Sequence, residues 1–293
     1  MKNGFALLCF AFLLASCQSG RFITNVYIGK DSTVVSTRKG EKIFHQGMSR
    51  VKRYDIYSPD VPDTFNNFRI AFISDLHYKS LFKEKDLDGL VKTLNALDAD
   101  VLLMGGDYQE GCEYVPELVS RLAEVKTQFG TYGVMGNNDY ERCHDEIIAE
   151  MQKRGIRILE QKVDTLSIGD ERIILAGIKN PFDLKRNGVS PTLDLQPKDF
   201  VILLTHTPDY AEDVDISNTD LALAGHTHGG QVTLFGLYAP QTGSRYGQHF
   251  LSGLTKNSKG IPMIITNGLG TSRKNIRLFA PSEVVLVILH KCD

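Results

Sequence analysis

Tryptophan is missing from the 293 residues, although eleven tyrosines and fifteen phenylalanines supply aromatic side chains for a core. No internal repeat or low-complexity tract occurs, which excludes a solenoid or another repeat array. A charge of one sign is also missing, because 33 lysines and arginines against 35 aspartates and glutamates give a formal net charge of −2. A chain that mainly binds nucleic acid is expected to be basic, so we expect no nucleic-acid partner. The sequence points to no protein partner either.

Long hydrophobic runs are scarce, and the longest lies at the amino terminus. Lys2 precedes the apolar run Phe5–Leu14, and small residues separate this run from Cys17. A membrane-spanning helix needs about 20 apolar residues, so the run is too short to cross a bilayer. A basic start, a short apolar stretch and small residues before a cleavage site are typical of a signal peptide. We therefore predict that residues 1–16 are a cleaved leader.

The residues Leu14 to Cys17 resemble the lipobox of bacterial lipoproteins, whose cysteine is lipidated and becomes the first residue. The resemblance implies an exported protein that a lipid at Cys17 anchors to a membrane of the bacterial cell envelope. In the alternative, the leader is an ordinary secretory signal and Cys17 has no role. Residues 17–67 carry scattered Gly, Ser and Thr with short β-like runs. We interpret them as a lipid-anchored tether that is followed by an edge element.

Beyond residue 68, apolar runs alternate with helical stripes. Runs such as Ile70–Ile73 and Val101–Met104 predict buried strands, and the spacing of the leucines between them predicts a helix. The second half is richer in strand-like runs, for example Val201–Leu204 and Leu221–Ala224. This order predicts one α/β layered domain over residues 68–293.

Polar side chains come directly after five of these apolar runs, at the point where each predicted strand ends. They are Asp75 and His77, Asp107, Asn137 and Asn138, His206, and His226 and His228. Sites in open α/β sheets form at the carboxyl ends of the strands, so we expect these side chains to share one site. Each motif alone is weak, since a lone Gly-Asp is usually a turn, but the ordered set favours a functional site.

The residue types indicate which metals this site would take. Carboxylate, amide and imidazole groups without cysteine suit Mn, Fe or Zn better than Ca²⁺ or a thiolate-bound zinc. In extended backbone, residues two apart leave the same face. On that basis Asp75 and His77 are expected to reach into one cluster, and so are His226 and His228.

The ordered set resembles the calcineurin-like metallophosphoesterases, whose pattern is D-x-H, G-D, G-N-H-D/E, H and G-H-x-H. The resemblance extends over about residues 68–289. The tail from Asn267 to Ser272, with Arg277 and Pro281, is similar to the bacterial envelope-associated branch that includes phosphodiesterases and UDP-diacylglucosamine hydrolases. The family fold implied is a four-layer sandwich, in which two β-sheets pack face to face and helices flank them.

The resemblance also implies two divalent metal ions. One ion would be held by Asp75, His77, Asp107 and His228, and the other by Asp107, Asn137, His206 and His226. Two such cations stabilise the attacking and leaving oxygens of an in-line displacement, and a hydroxide between them would be the nucleophile. The expected reaction is hydrolysis of a phosphodiester, phosphoanhydride or phosphomonoester in a phosphorylated small molecule or a lipid-linked substrate. The alternative is a non-catalytic, metal-binding envelope lipoprotein on the same scaffold.

One residue departs from the family pattern, because Asn138 stands where the pattern has histidine. The family histidine is thought to lie near the leaving oxygen and help protonate it. An Asn amide can donate a hydrogen bond but cannot transfer a proton, so we expect a preference for activated esters or phosphoanhydrides. His144 is the nearest substitute acid, but we expect it to start the next helix and point elsewhere. Arg273 and Arg277 are candidate contacts for a substrate phosphate, with a solvated charged loop as the alternative.

The cysteines that remain after export are Cys112, Cys143 and Cys292. An odd number in an oxidising compartment permits one disulfide and one free thiol. Cys112 and Cys143 each lie a few residues beyond a strand end that carries a candidate ligand. Loops that leave neighbouring strands at one edge can bring two Cα atoms within the roughly 4.4–6.8 Å of a disulfide. We predict a Cys112–Cys143 bridge, with two separate thiols as the alternative.

Overall fold

The computed structural model describes the strands Ile23–Tyr27, Thr33–Thr37 and Gly40–Phe44, and then residues 50–292 without a break. The predicted signal peptide and the predicted lipid site at Cys17 lie outside the described residues. No helix in the described part of the chain combines the length and the apolar character needed to cross a membrane.

The described chain contains fifteen strands and six α-helices. The strands are β1 (Ile23–Tyr27), β2 (Thr33–Thr37), β3 (Gly40–Phe44), β4 (Arg50–Ser58), β5 (Arg69–Ile73), β6 (Val101–Met104), β7 (Thr131–Gly133), β8 (Arg157–Ile158), β9 (Lys162–Ile168), β10 (Glu171–Gly177), β11 (Phe200–Leu204), β12 (Leu221–Ala224), β13 (Gly253–Lys256), β14 (Pro262–Ile265) and β15 (Glu283–Lys291). The α-helices are α1 (Glu84–Leu97), α2 (Val115–Leu122), α3 (Asn137–Glu141), α4 (His144–Lys153), α5 (Leu184–Asn187) and α6 (Tyr210–Asp213). Short 3-10 helices span Asp63–Phe65, Cys112–Tyr114, His228–Gly230 and Gly247–Phe250.

Two mixed sheets contain thirteen of these strands. The first sheet has the order β1-β4-β15-β5-β6-β7-β8, the second has the order β13-β14-β12-β11-β10-β9, and β2 pairs with β3 alone. In the first sheet β5, β6 and β7 run parallel, and in the second sheet β10, β11 and β12 do so. The loops after each parallel trio therefore leave at one edge of their sheet.

The two sheets pack face to face, and helices cover their outer faces. Phe72 of β5 lies in the core between the sheets together with Ile202 of β11. Its neighbour Ile73 lies in the core beneath the helices with Leu90 of α1 and Leu118 of α2. A third, smaller core includes residues of α6 and of the second sheet. Burial on both faces explains why these strands are continuous apolar runs, and the arrangement confirms the predicted four-layer fold.

The strand β4 shows that the predicted boundary at residue 68 is too late. It pairs in parallel with all nine residues of β15 and is flanked on its other side by β1. Tyr54 and Ile56 of β4 are fully buried in the core between the sheets. This strand is therefore an interior part of the first sheet and not an edge element after a tether. Its main partner is the last strand of the chain, and no local pattern reveals such a distant pairing.

The segment Pro181–Pro197, which reads as a surface loop, is partly packed. It contains α5, and the side chains of Ser190 and Thr192 are buried. The hydroxyl of Thr192 donates to the carbonyl of Ser217 at 3.0 Å. Polar side chains of this segment therefore bind the loop that precedes β12. The pattern of apolar residues in the sequence does not reveal such contacts.

The predicted Cys112–Cys143 disulfide is confirmed, with the two Cα atoms 5.4 Å apart. Cys112 starts the 3-10 helix after β6, and Cys143 precedes the first residue of α4. The bridge therefore joins the loop after β6 to the turn between α3 and α4.

Candidate metal centre

The carboxyl ends of strands from both sheets deliver the predicted side chains to one place. In the first sheet β5 leads to Asp75 and β6 leads to Asp107, and in the second sheet β11 leads to His206 and β12 leads to His226. The loops are joined directly across the sheets, because the amide N of His226 donates to both carboxylate oxygens of Asp75 at 3.0 and 2.9 Å. The site thus lies at the carboxyl ends of strands from both sheets.

A first cluster of candidate ligands consists of Asp75, His77 and His228. Their ligand atoms all lie within 4.8 Å of one another, and all three side chains are buried. Nε2 of His228 lies 3.5 Å from Oδ1 of Asp75. Two imidazoles and one carboxylate at this spacing form a competent set for a divalent transition metal.

A second cluster consists of Asp107, His206 and His226, whose ligand atoms also lie within 4.8 Å of one another. The amide oxygen of Asn137 is 3.2 Å from Nε2 of His206. Nδ1 of His226 lies 3.2 Å from the same His206 nitrogen. The structure thus brings Asn137 to the second cluster, together with the histidines that the sequence groups with it.

Asp107 lies between the two clusters. Its Oδ2 is 3.3 Å from Nε2 of His77 in the first cluster and 3.5 Å from Nε2 of His206 in the second. Its other oxygen, Oδ1, accepts the backbone N–H of Asn138 at 2.9 Å. One carboxylate oxygen is therefore held by the backbone, while the other faces both clusters.

His226 and His228 do not reach into one cluster, as was predicted from an extended backbone. Both residues have positive φ, 70° and 54°, and the two imidazoles enter different clusters. Asp75 and Asp107 share this left-handed backbone, with φ of 53° and 54°. Such conformations are strained for residues other than glycine, and they cluster at functional sites. The left-handed backbone turns the loop between His226 and His228, so that their imidazoles enter different clusters.

Two glycines allow the backbone to close around the carboxylates. A Cβ on Gly136 would lie 2.1 Å from Oδ1 of Asp107, and one on Gly225 would lie 2.3 Å from Oδ2 of Asp75. No side chain fits at such distances, so both positions require glycine. The backbone can therefore approach and orient the two carboxylates.

Partners behind the histidines fix which ring nitrogen faces the site. Nδ1 of His206 donates to the carbonyl of Gly105 at 2.7 Å, and Nδ1 of His77 lies 2.5 Å from Oε1 of Glu110. Both partners accept a hydrogen bond, so each Nδ1 carries a hydrogen, and Nε2 is the ring nitrogen that faces Asp107 and could bind a metal ion. Metal-bound histidines are commonly oriented in this way. Glu110 was missed by the sequence analysis, although a carboxylate three residues after Asp107 is a usable signal.

The residues present fit bound metal cations. Nε2 of His77 is buried and makes no hydrogen bond in the described chain, although it faces the site. Burial alone would lower the pKa of His77, but Asp107 and Glu110 outweigh burial and raise that pKa to about 10. Burial likewise opposes the charge on His206, whereas Asp107 raises the pKa of His206 to about 9. The site therefore concentrates negative charge that favours a cation, whether a proton or a metal ion.

Comparison with known proteins decides the family. Residues 68–230 match the family model of the calcineurin-like phosphoesterases. The chain belongs to this family. The two carboxylate–histidine clusters are the part of the structure on which a metal-dependent member of the family would depend.

Similar calcineurin-like phosphoesterases occur in several bacteria. An uncharacterized metallophosphoesterase of Campylobacter jejuni is 29% identical over 247 residues, which is 82% of this chain and 63% of that protein. One of Helicobacter pylori is 29% identical over 255 residues, or 84% of this chain and 66% of that protein. One of Bacillus subtilis is 27% identical over 247 residues, which is 83% of this chain and 86% of that protein. The chain spans less than two thirds of the length of the Campylobacter and Helicobacter relatives.

Solved structures show more distant similarity. Haemophilus influenzae NAD nucleotidase matches 69% of this chain and 45% of that chain, with 16% identity and a TM-score of 0.45. A Thermus thermophilus protein matches 70% of this chain and 91% of that chain, with 12% identity and a TM-score of 0.44. The envelope-associated branch suggested by the tail stays a prediction.

In this calcineurin-like phosphoesterase, Asp139 holds the loop that carries Asp107 and the loop that carries Gly136. Its Oδ2 accepts the backbone N–H groups of Asp107 and Gly136 at 2.7 and 2.8 Å, and its Oδ1 accepts that of Tyr108 at 3.0 Å. Burial first, and then the charge of Asp107, raises the pKa of Asp139 to about 7. Asp139, which is the last position of the G-N-H-D/E pattern, therefore positions the backbone on either side of the site.

Asn138 lies on the wall of the cleft above the clusters. Its Nδ2 is 3.2 Å from Nδ1 of His77, whose hydrogen is donated to Glu110, and its Oδ1 accepts Nδ2 of Asn137 at 3.2 Å. The Asn138 amide hydrogens are thus left for a group in the cleft. His144 starts α4 and its Nε2 lies 3.0 Å from Oε1 of Glu160, which confirms that it points elsewhere.

The two predicted substrate-binding arginines have different positions. Arg277 donates to the carbonyls of Asn267, Gly270, His228 and Ala280 at 2.5 to 3.1 Å. Its guanidinium thus braces the tail turn behind His228, and burial lowers the pKa of Arg277 to about 10. The substrate-binding role predicted for Arg277 is therefore wrong. The N–H groups of Arg277 donate to main-chain carbonyls, and the sequence does not show that these carbonyls lie close to Arg277.

Arg273 is exposed and lines the cleft, which agrees with its predicted position near a substrate. The cleft has a volume of about 810 Å³ and is also lined by Asn138, His226 and His228. Phe182, which the sequence analysis missed, packs its ring 5.1 Å from the ring of His226. It therefore covers the side of the second cluster.

Proposed function

We propose that the chain is a binuclear metal-dependent phosphoesterase that hydrolyses a phosphodiester, phosphoanhydride or phosphomonoester. The observation that carries the proposal is the position of Asp107 Oδ2, between His77 of one cluster and His206 of the other. A carboxylate shared in this way suits two cations that lie close together. Membership of the calcineurin-like family supports the same reaction class.

The proposal gives each cation a set of ligands. The first would be held by Asp75, His77, His228 and Asp107, and the second by Asp107, Asn137, His206 and His226. Manganese, iron and zinc suit these donors. The chemistry that such ions supply when bound is neutralisation of phosphate charge and acidification of solvent.

The chain's own residues would position the reacting groups. The backbone N–H of Asn138 holds Asp107, and Glu110 keeps the hydrogen of His77 on Nδ1. The Asn138 amide can donate a hydrogen bond to a leaving oxygen but no proton, which favours leaving groups that need no protonation. We therefore propose activated esters or phosphoanhydrides as the preferred substrates.

The proposed location is the bacterial cell envelope, with a lipid at Cys17 as the anchor. The support for it is the lipobox-like sequence at the end of a short apolar leader. A protein anchored in this way would meet phosphorylated small molecules and lipid-linked substrates. Recovery of a Cys17→Ser variant from the soluble fraction, with wild type in the membrane fraction, would support this location.

The test combines metal content with activity in wild type, Asp107→Asn and the matched control Asp170→Asn. Asp170 is exposed in the turn between β9 and β10, away from the carboxyl ends of the parallel strands. We expect two metal ions for each wild-type or Asp170→Asn chain, and fewer ions with loss of chromogenic phosphoester hydrolysis in Asp107→Asn. Full activity of Asp107→Asn would contradict the shared carboxylate. Two bound ions without hydrolysis of any phosphoester would favour the binding-only alternative.

A further inference from the structure

Exposed apolar side chains are concentrated on one part of the surface. Among the described residues thirteen large hydrophobic side chains are exposed, and six of them lie in two neighbouring segments. These six, here named the apolar rim, are Leu234, Phe235, Leu237, Tyr238, Leu278 and Phe279. Single exposed hydrophobic residues are ordinary, whereas a contiguous group indicates an interaction surface.

The two segments of the apolar rim are joined by hydrogen bonds. The backbone N–H of Leu278 donates to the carbonyl of Gln231 at 2.7 Å, and that of Thr233 donates to Leu278 at 2.9 Å. The rings of Phe235 and Phe279 lie 5.5 Å apart. The apolar rim is therefore one continuous surface, and hydrogen bonds between the backbones of its two segments hold it together.

The tip of the first segment is a tight turn with an unfavourable residue. The backbone N–H of Leu237 donates to the carbonyl of Leu234 at 3.0 Å, and the central residues Phe235 and Gly236 have φ of 55° and 76°. Turns with two positive φ values favour Asn, Asp and Gly, so a bulky Phe is strained there. The Phe235 side chain is also 79% exposed. Among the described residues the Phe279 ring packs against Phe235, and most of the Phe235 surface remains open to a partner.

The two segments that form the apolar rim carry basic residues and reach the mouth of the cleft. The side chain of Gln231 bonds to the backbone N–H and carbonyl of Ser272 at 2.6 and 3.1 Å. The next residues, Arg273 and Lys274, are exposed, and Arg273 lines the cleft. No Asp or Glu occurs in residues 229–245 or 268–282. The charged residues within these two segments are all basic, and apolar side chains beside basic ones match the interface of an anionic bilayer.

We propose that the apolar rim docks on an anionic lipid bilayer, with Phe235, Leu237 and Phe279 inserted and Arg273 and Lys274 at the headgroups. The mouth of the cleft would then face the lipid surface. This docking is independent of the proposed catalytic activity, because it uses none of the candidate metal ligands.

The absence of tryptophan from the sequence gives a direct test. Phe235→Trp places a single indole at the rim of the full chain, and Val163→Trp is the matched control on β9, where Val163 is 44% exposed. The probe is a vesicle of phosphatidylcholine mixed with anionic phosphatidylglycerol. We expect the emission of Phe235→Trp to shift to the blue and to be quenched by brominated acyl chains, with no change for Val163→Trp. Equal quenching of both variants, or of neither, would overturn the proposal.

A second measurement separates docking from loss of folding. Vesicle binding of the double variant Phe235→Ser/Leu237→Ser should be at least about tenfold weaker than that of wild type, because two apolar side chains no longer leave water. Val163→Ser should bind like wild type, and all three proteins should melt at similar temperatures. Unchanged vesicle binding of the double variant would contradict the proposal. A dimer that dissociates in the double variant without any lipid effect would show instead that the rim joins two copies of the chain.

Discussion

Removal of the Cys112–Cys143 disulfide is expected to lower the free energy of unfolding by about 3.7 kcal/mol. The two cysteines are separated by 31 residues, and the value is the loop-closure entropy that a link of this length removes from the unfolded chain at 25 °C. For a chain of this size, the melting temperature should fall by about 7–15 °C.

The same bond is expected to support the metal site. Cys112 lies shortly after Glu110, which accepts a hydrogen bond from His77. Cys143 lies just beyond α3, whose first residue is Asn137. Without the bridge, the loops that carry Glu110 and Asn137 lose a mutual restraint. Metal affinity should therefore fall together with stability.

The assay is urea unfolding of wild type and of Cys112→Ser/Cys143→Ser, each with and without reductant. Reductant should destabilise wild type to the level of the double variant and should leave the double variant unchanged. Thiol counting in denaturant without reductant should find the two cysteines unreactive in wild type. The reasoning is refuted if reduced and oxidised wild type differ by less than about 1 kcal/mol.

Three further predictions concern the site and its support. Asn138→His should speed hydrolysis of alkyl phosphodiesters by about 10²–10⁴-fold and change that of aryl esters little, because it restores a general acid; equal dependence of rate on leaving-group pKa in both proteins would contradict this. Glu110→Gln should weaken metal affinity about 10–100-fold, measured by competition with a chelating dye, because His77 loses its charged partner; an unchanged affinity would show that Glu110 does not orient His77. Burial opposes charge on both Glu160 and His144, but their hydrogen bond lowers the pKa of Glu160 below 4.5 and raises that of His144 above 6.5. The stabilisation from charged Glu160 is lost as the pH falls through the pKa of Glu160 in the folded protein. The stabilisation from charged His144 is lost as the pH rises through the pKa of His144 in the folded protein. The stability lost in Glu160→Gln should therefore be largest between about pH 4.5 and 6.5. Urea unfolding that shows the same loss at all pH values would be the opposite result.

The amino-acid sequence by itself determined the strands that carry the site and the residue types at their ends. Runs such as Ile70–Ile73 are buried on both faces of a sheet, so each is apolar throughout and can be recognised without knowing its neighbours. The ligands Asp75 and Asp107 come shortly after such runs. Parallel strands bring the loops at their carboxyl ends to a common edge, so the spacing along the chain was enough to predict a shared site.

The tertiary structure alone decided the features that depend on distant partners. The strand β4 belongs to the sheet because it pairs with the last strand of the chain. Arg277 is unavailable to a substrate because its donors are used by four main-chain carbonyls. His226 and His228 enter different clusters because their positive φ values turn the backbone between them. Periodicity encodes which face of a regular element is buried, but it encodes neither left-handed backbone nor hydrogen bonds between segments far apart in sequence.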